Sequence, residues 1–211
     1  MVGRIAKRIV IALIFTAFIF LLGFYASSTL VESKFESLQR AQDEIQIDTV
    51  SLEIESSLLA ENPCNLAGLE ELGTRLGDLG PKLDYMERQS SAKDFENLKK
   101  YYALLEIKHW LAVQKNNKEC KSNYVPILYF YSNTDCDDCK LQGPLLLAQK
   151  EKNPKVMVYS FDVNSNLPAT KILKGNYNVT SVPAIIIGNK KYEGYRGSKE
   201  LSLAISESLR N

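Results

Sequence analysis

The run IVIALIFTAFIFLLGFYA, from Ile9 to Ala26, carries no charge and constrains everything that follows it. As a helix it would span ~27 Å at ~1.5 Å per residue, close to the ~30 Å of a bilayer's hydrocarbon core. Arg4, Lys7 and Arg8 precede it, and Glu32 and Lys34 lie beyond it. That asymmetry of basic residues places a short tail, residues 1–8, in the cytoplasm and the bulk of the chain outside. A cleaved signal peptide is the competing reading, but its apolar core is usually ~7–15 residues with small residues before the cut. A cut after Ala26 would put Phe24 three positions before it, a poor fit. Residues 9–26 are therefore expected to be an uncleaved, single-pass transmembrane anchor, with the lipid bilayer as a partner.

An extracytoplasmic compartment permits disulfides, and the chain has four cysteines, an even count that lets all of them pair. Three pairings exist in principle. The stretch NTDCDDCK suggests Cys136 with Cys139 locally, which leaves Cys64 with Cys120. A Cys64–Cys120 bond would close a long loop, which the chain-entropy model values at roughly 4 kcal/mol. It would tie the start of a helical segment to the linker that follows. The sharper alternative is a second redox pair exchanging electrons with the first, which requires contact between the two. Charge excludes another class: 26 basic and 25 acidic side chains give a net charge of +1, so there is no nucleic-acid footprint.

From Phe24 to Asn62 there is neither Pro nor Gly, which reads as a long helix continuing out of the membrane. Val31, Leu38, Ile45, Leu52 and Leu59 recur every seven residues, yet their partner positions are polar, so no sustained coiled-coil seam follows. EIQID and VSLEI also alternate as a strand would. ENPCN interrupts, with Asn62 or Asn65 available to cap the next helix. There Leu69, Leu72, Leu76, Leu79 and Leu83 form a stripe. Gly73 and Gly77 lie a turn apart and would let another helix approach closely. A break is expected at Gly80–Pro81. A further helix is expected from about Ala92 to Asn116, with Phe95, Leu98, Tyr102, Leu105 and Ala112 on its apolar face. His109, the one histidine, falls on that face and reads as a hydrogen-bonded core residue, since no second histidine shares a metal site with it.

Residues 125–211 change character. VPILYFY and KVMVYSF read as strands, with a helix beginning around Cys136 between them. LPATKILKGNY reads as a short helix with Pro168 in its first turn. PAIII and KKYEG read as strands joined through the turn Gly188-Asn189. SKELSLAISESL closes the chain as an amphipathic helix capped by Ser198. The order is βαβαββα.

These residues resemble the thioredoxin family over 125–211. A buried strand leads into Cys136-Asp137-Asp138-Cys139, Pro144 follows five residues after Cys139, and YNVTSVPAIIIGNKKYEGYRG is similar to the family's cis-proline segment and hairpin. The resemblance implies an α/β thioredoxin-like domain at 121–211, preceded by an all-α segment at 27–120 and the anchor. It implies that Cys136, at a helix N-terminus and exposed, attacks substrate disulfides, and that the more buried Cys139 resolves the mixed disulfide. It implies that Val182–Pro183 is cis, a geometry costing ~0.5–1 kcal/mol before proline against ~2.5–4 elsewhere, and that the Val182 backbone pairs with substrate. No cofactor beyond the redox-active disulfide is implied, and no metal. The partners implied are thiol- or disulfide-containing extracytoplasmic proteins and an electron-exchange partner.

The departures set expectations too. Asp135 stands where the family usually has tryptophan, and the strand before the site has no acid. Asp135, Asp137 and Asp138 put negative charge around Cys136, which disfavours its thiolate and shifts the couple toward reducing potentials. The expected function is a membrane-anchored thiol–disulfide oxidoreductase that reduces or isomerises protein disulfides. The alternative is a non-catalytic binding or assembly module on the same fold. Zinc at the pair is the weakest reading, since two cysteines supply only half of a tetrahedral set.

Overall fold

In the computed structural model the backbone of residues 2–89 and 92–210 is described, with side chains at 11, 13–25, 43–83, 85 and 96–210. The chain divides into two units, Met1–Ile47 and Asp48–Asn211. The first is helical, the opening part of α1 (Val2–Glu61). Its large apolar side chains between Ile11 and Tyr25 are exposed, Phe20 at 74 %. Among the described residues no helix is long and apolar enough to cross a membrane. Ile9, Val10, Ala12 and Ala26 of the expected anchor, its flanking charges, the heptad positions Val31 and Leu38, and Phe95 lie outside the described side chains.

The second unit opens with the last turns of α1. The alternation in EIQID and VSLEI does not become strand, since the helix runs through both. Leu52 and Leu59 are buried on one face, whereas Ile54 and Leu58 are exposed on the other. After the break at residues 62–65, the Asn65 side-chain oxygen accepts from the Gly68 N–H at 3.1 Å and caps α2 (Leu66–Gln89). Leu69, Leu72, Leu76, Leu79 and Leu83 are all buried.

The break expected at Gly80–Pro81 does not occur: α2 runs through Pro81 to Gln89. Proline costs ~3 kcal/mol or more inside a helix because it removes a backbone bond and crowds the preceding turn. The leucine stripe buried on both sides of Pro81 offsets that cost, and the Tyr102 hydroxyl donates to the Leu76 carbonyl at 3.1 Å within the crowded turn. The expected close approach at Gly73 is real. A Cβ there would fall 2.9 Å from His109 Cε1. The side chain fitted against it belongs to α3 (Ala92–Cys120), which runs past the expected end at Asn116. Asn117 explains the extension. Its side chain donates to the Tyr124 carbonyl at 2.8 Å and accepts from the Tyr124 N–H at 3.0 Å, so the polar segment that reads as linker is folded back on the helix end.

β1 (Val125–Tyr131) pairs in parallel with β2 (Val156–Asp162), Val125 opposite Val156, and antiparallel with β3 (Ala184–Ile187), Phe130 opposite Ala184. β4 (Lys190–Glu193) pairs with β3 across the Gly188-Asn189 turn, where Gly188 has φ +59°, a left-handed conformation cheap only for glycine. Strand order is β2-β1-β3-β4. The helices are α4 (Asp137–Lys152), α5 (Pro168–Asn176) and α6 (Ser198–Arg210). Strands buried on both faces read as continuous apolar runs, and Val125, Ile127, Tyr129, Ile185 and Ile187 pack with Leu146 of α4 and Leu201 and Ile205 of α6. Ser198 is the first helical residue, not the cap. Its hydroxyl accepts from Gln149 Nε2 at 3.1 Å, and the Gly197 carbonyl takes the Leu201 N–H.

The two sheet edges are finished differently. β4 carries exposed Lys190 and Lys191, charges that discourage further strand pairing. Among the described residues β2 has no strand beyond it. There α3 supplies Glu106, whose Oε1 accepts from the Ser160 N–H at 3.1 Å.

Candidate active site

The turn after β1 is organised by its own hydroxyls. Ser132 Oγ donates to the Thr134 carbonyl at 2.6 Å, and Asn164 Nδ2 donates to Ser132 Oγ at 2.7 Å. Asp135 then takes φ +52°, a left-handed conformation that short polar residues such as Asp tolerate better than most. This reversal makes Cys136 the N-cap of α4, its Sγ accepting from the Cys139 N–H at 3.2 Å. Cys136 and Cys139 are joined as a disulfide, with Cα atoms 5.2 Å apart. Cys64 and Cys120 form the second bond, with Cα atoms 5.5 Å apart, and no cysteine is free.

One expectation fails here. Cys136 was expected to be exposed but is only 8 % exposed, while Cys139 is, as expected, the more buried at 5 %. Joined as a disulfide at the first turn of α4, the two sulfurs share one buried environment.

The aspartates flank the pair as read, and all three are exposed. Asp137 and Asp138 also occupy the first turn of α4, where negative charge is favourable against the helix dipole. They therefore have a structural use beside any effect on the thiol. Lys140 Nζ lies 2.8 Å from Asp137 Oδ1. That hydrogen bond and charge hold the Asp137 carboxyl below its usual range and push the Lys140 ammonium up. The sequence reading missed Lys140, although its i,i+3 spacing from Asp137 was a visible signal.

Below the disulfide, the Tyr129 hydroxyl donates to the Cys139 carbonyl at 2.8 Å. Gln142, fully buried one turn past Cys139, brackets one residue of the loop before α6. Its Oε1 accepts from the Arg196 N–H at 2.7 Å, and its Nε2 donates to the Arg196 carbonyl at 3.3 Å. Pro144 lies within α4, in its second turn.

The Val182–Pro183 bond is cis. Because Phe130 sits opposite Ala184, the cysteine turn and the cis-proline leave the same end of two adjacent strands. The loop before Pro183 is held by Glu193. Its carboxylate accepts from the Thr180 N–H at 2.7 Å, the Thr180 hydroxyl at 3.0 Å and the Ser181 N–H at 3.3 Å, with Lys191 Nζ at 3.3 Å. Those donors, the Thr180 N–H foremost, bring Glu193 down to about 2. Nothing in the sequence pointed to Glu193, whose partners lie across the hairpin.

His109 is the core residue it reads as. A carbonyl can only accept, so Nε2 donates to Leu69 O at 2.9 Å and Nδ1 accepts from the Tyr159 hydroxyl at 2.8 Å. Burial brings it down to about 4. Among the described residues no cluster could hold a metal ion.

The strand order, the cysteine pair at a helix start and the adjoining cis-proline define the class: a thioredoxin-like α/β domain carrying a disulfide-forming cysteine pair. No family model matches the chain, and no curated protein sequence matches it. Solved structures similar to it include a malarial protein, at 22 % identity over 41 % of this chain and 99 % of that one, with a TM-score of 0.36. Chloroplastic thioredoxin z is similar at 20 % identity over 46 % and 89 %, with a TM-score of 0.36. Mitochondrial thioredoxin 3 from Saccharomyces cerevisiae, in its oxidized form, is similar at 22 % over 45 % and 89 %, with a TM-score of 0.35. Likenesses this slight add no weight, and the fold rests on its own strand order and site.

Proposed function

We propose that this chain is a membrane-anchored, extracytoplasmic thiol–disulfide oxidoreductase that reduces or isomerises protein disulfides through Cys136 and Cys139. The observation that carries the reading is the Cys136–Cys139 bond at the first turn of α4, with Cys136 as the N-cap. In the reduced protein the Cys136 thiolate attacks one sulfur of a substrate disulfide, and the other substrate sulfur leaves as a thiolate. Cys139, deprotonated, then attacks Cys136 Sγ. The mixed disulfide breaks, the substrate leaves with both sulfurs reduced, and the Cys136–Cys139 bond re-forms. Two electrons pass to substrate in each cycle and are replaced by a partner dithiol. In isomerisation, a freed substrate thiolate attacks another substrate disulfide before Cys139 acts. Helix N-terminal N–H groups favour the thiolate, while Asp135 and Asp138 oppose it, which favours a reducing poise.

The anchor reading rests on the uncharged run with basic residues before it, and on the exposed apolar side chains from Ile11 to Tyr25. Protease protection in sealed membranes checks the orientation: residues 48–211 are cleaved from the outer side, and protection of that part would reverse it.

The main test is a trap. Cys139→Ser, expressed in its native membrane, accumulates mixed disulfides through Cys136 that reductant releases, while Cys136→Ser/Cys139→Ser accumulates none. An empty trap would favour the second reading, a non-catalytic assembly module, for which the burial of Cys136 speaks.

A further inference from the structure

A cleft of about 290 Å³ lies between the α2–α3 pair, the sheet and the outer side of α4. Small-molecule sites begin near that size, at roughly 300 Å³. Its walls include the rings of Tyr102, Tyr129 and Tyr131, the last two stacked with centroids 5.4 Å apart. Its floor is Glu106, 3 % exposed. The edge-strand bond accounts for Oε1 alone. Oε2 is buried with no hydrogen-bond partner, and buried polar atoms are costly unless they find one. Lys150 Nζ lies against the α2 wall, where a Cβ on Gly77 would fall 2.6 Å from it. The absence of that Cβ makes room for the ammonium.

We propose that this cleft binds a small planar carboxylate, its ring between the tyrosines and its oxygens taken by the Lys150 ammonium and by a proton on Glu106 Oε2. The donor inventory sets the sign of the ligand. Oε1 already accepts from the Ser160 N–H at 3.1 Å, the role of a carboxyl's carbonyl oxygen. The proton of a neutral carboxyl therefore sits on Oε2, for which no acceptor is present among the described residues. Burial pushes Glu106 up to about 8, so that neutral form prevails at neutral pH. An acceptor beside a lysine is an anion's place. The titratable groups that line the cleft with Glu106 are Glu96, Lys99, Lys100 and Tyr102 on its own helix, Tyr129 and Tyr131 on β1, Asp162 on β2 and Lys150 on α4, with His109 and Tyr159 packed behind; α2 contributes Gly77, Gly80, Pro81 and Leu83, none of which titrates. Tyr129 links this site to the cysteine pair, since its hydroxyl holds the Cys139 carbonyl. Occupancy does not depend on whether that pair turns over.

The test titrates benzoate against the oxidised full chain in detergent at pH 6.5, with saturation-transfer NMR as readout and benzylamine as the cationic comparator. Benzoate binds saturably and benzylamine does not. Affinity falls at least tenfold by pH 9 as Glu106 ionises, whereas Glu106→Gln, whose amide donates without titrating, keeps its affinity at pH 9. Ala103→Phe, which fills the cleft, weakens binding at least tenfold. Leu147→Glu, at an exposed position on the rim, weakens it several-fold and covers the case in which the cleft-filling variant fails to fold. Absence of saturable binding, a preference for benzylamine, or undiminished binding in both folded variants would each overturn the proposal.

Discussion

Lys140 changes the electrostatic account of the cysteine pair. Counted along the chain, three aspartates crowd Cys136; in space one of them is neutralised by Lys140 at 2.8 Å. Removing that ammonium leaves Asp137 to oppose the thiolate unaided. Reduced Lys140→Gln should therefore be alkylated by iodoacetamide more slowly at neutral pH, by about two- to threefold because both groups are solvated and screened. Asp137→Asn moves the rate the other way. Glu193 acts at a distance from sulfur, gripping the two residues that lead toward Pro183 through three donors. On the proposed function this loop presents its backbone to substrate, and freeing it would blur that presentation. Glu193→Ala should raise KM for a protein disulfide about tenfold with kcat little changed, in line with the cost of small misplacements, and Glu193→Gln should restore part of it. The cysteines and the aspartates beside them were legible because they adjoin in sequence, and Pro183 through the resemblance of its segment. Glu193 and Gln142 were not, because their partners lie across a hairpin and in another loop.

Among the elements, α2 and α3 show where local rules give way. Gly80–Pro81 has the composition of a stop, yet the helix continues, because a leucine stripe buried on both sides outweighs one missing hydrogen bond. Of the two glycines read as points of close helix approach, Gly73 receives His109 of α3, whereas Gly77 meets only the end of the Lys150 side chain. That helix pair carries two buried groups that titrate in opposite senses. Glu106 stands at about 8 against 4.5 in the open chain, so its stabilising share is complete below about pH 4.5 and is lost as pH rises through 8. His109 stands at about 4 against 6.5, so its share is complete above 6.5 and is lost as pH falls toward 4. Stability in urea should therefore peak on a plateau between about pH 4.5 and 6.5, where the two slopes cancel. Glu106→Gln should flatten the alkaline limb, with a gain on the order of a few kcal/mol at pH 9. The bond between Cys64 and Cys120, 56 residues apart, closes this pair into a loop. Removing both cysteines should cost roughly 4 kcal/mol of unfolding free energy, less if native strain is relieved.

For the whole molecule, periodicity and turn chemistry made the βαβαββα order legible, since β1, β2 and β3 are short apolar runs near Gly, Pro or Asn and the polar β4 follows the Gly188-Asn189 turn. What stayed illegible was how the all-α segment meets the sheet. No pattern along a chain reports that a helix will lie against the outermost strand and offer it a carboxylate. That contact, Glu106 on Ser160, has a consequence beyond the site it adjoins. β2 is a bare border, and an uncovered border is an invitation to a second copy's strand. By lying against that edge α3 thus shields it from a neighbouring molecule's strand, and any event that peeled α3 away would expose it.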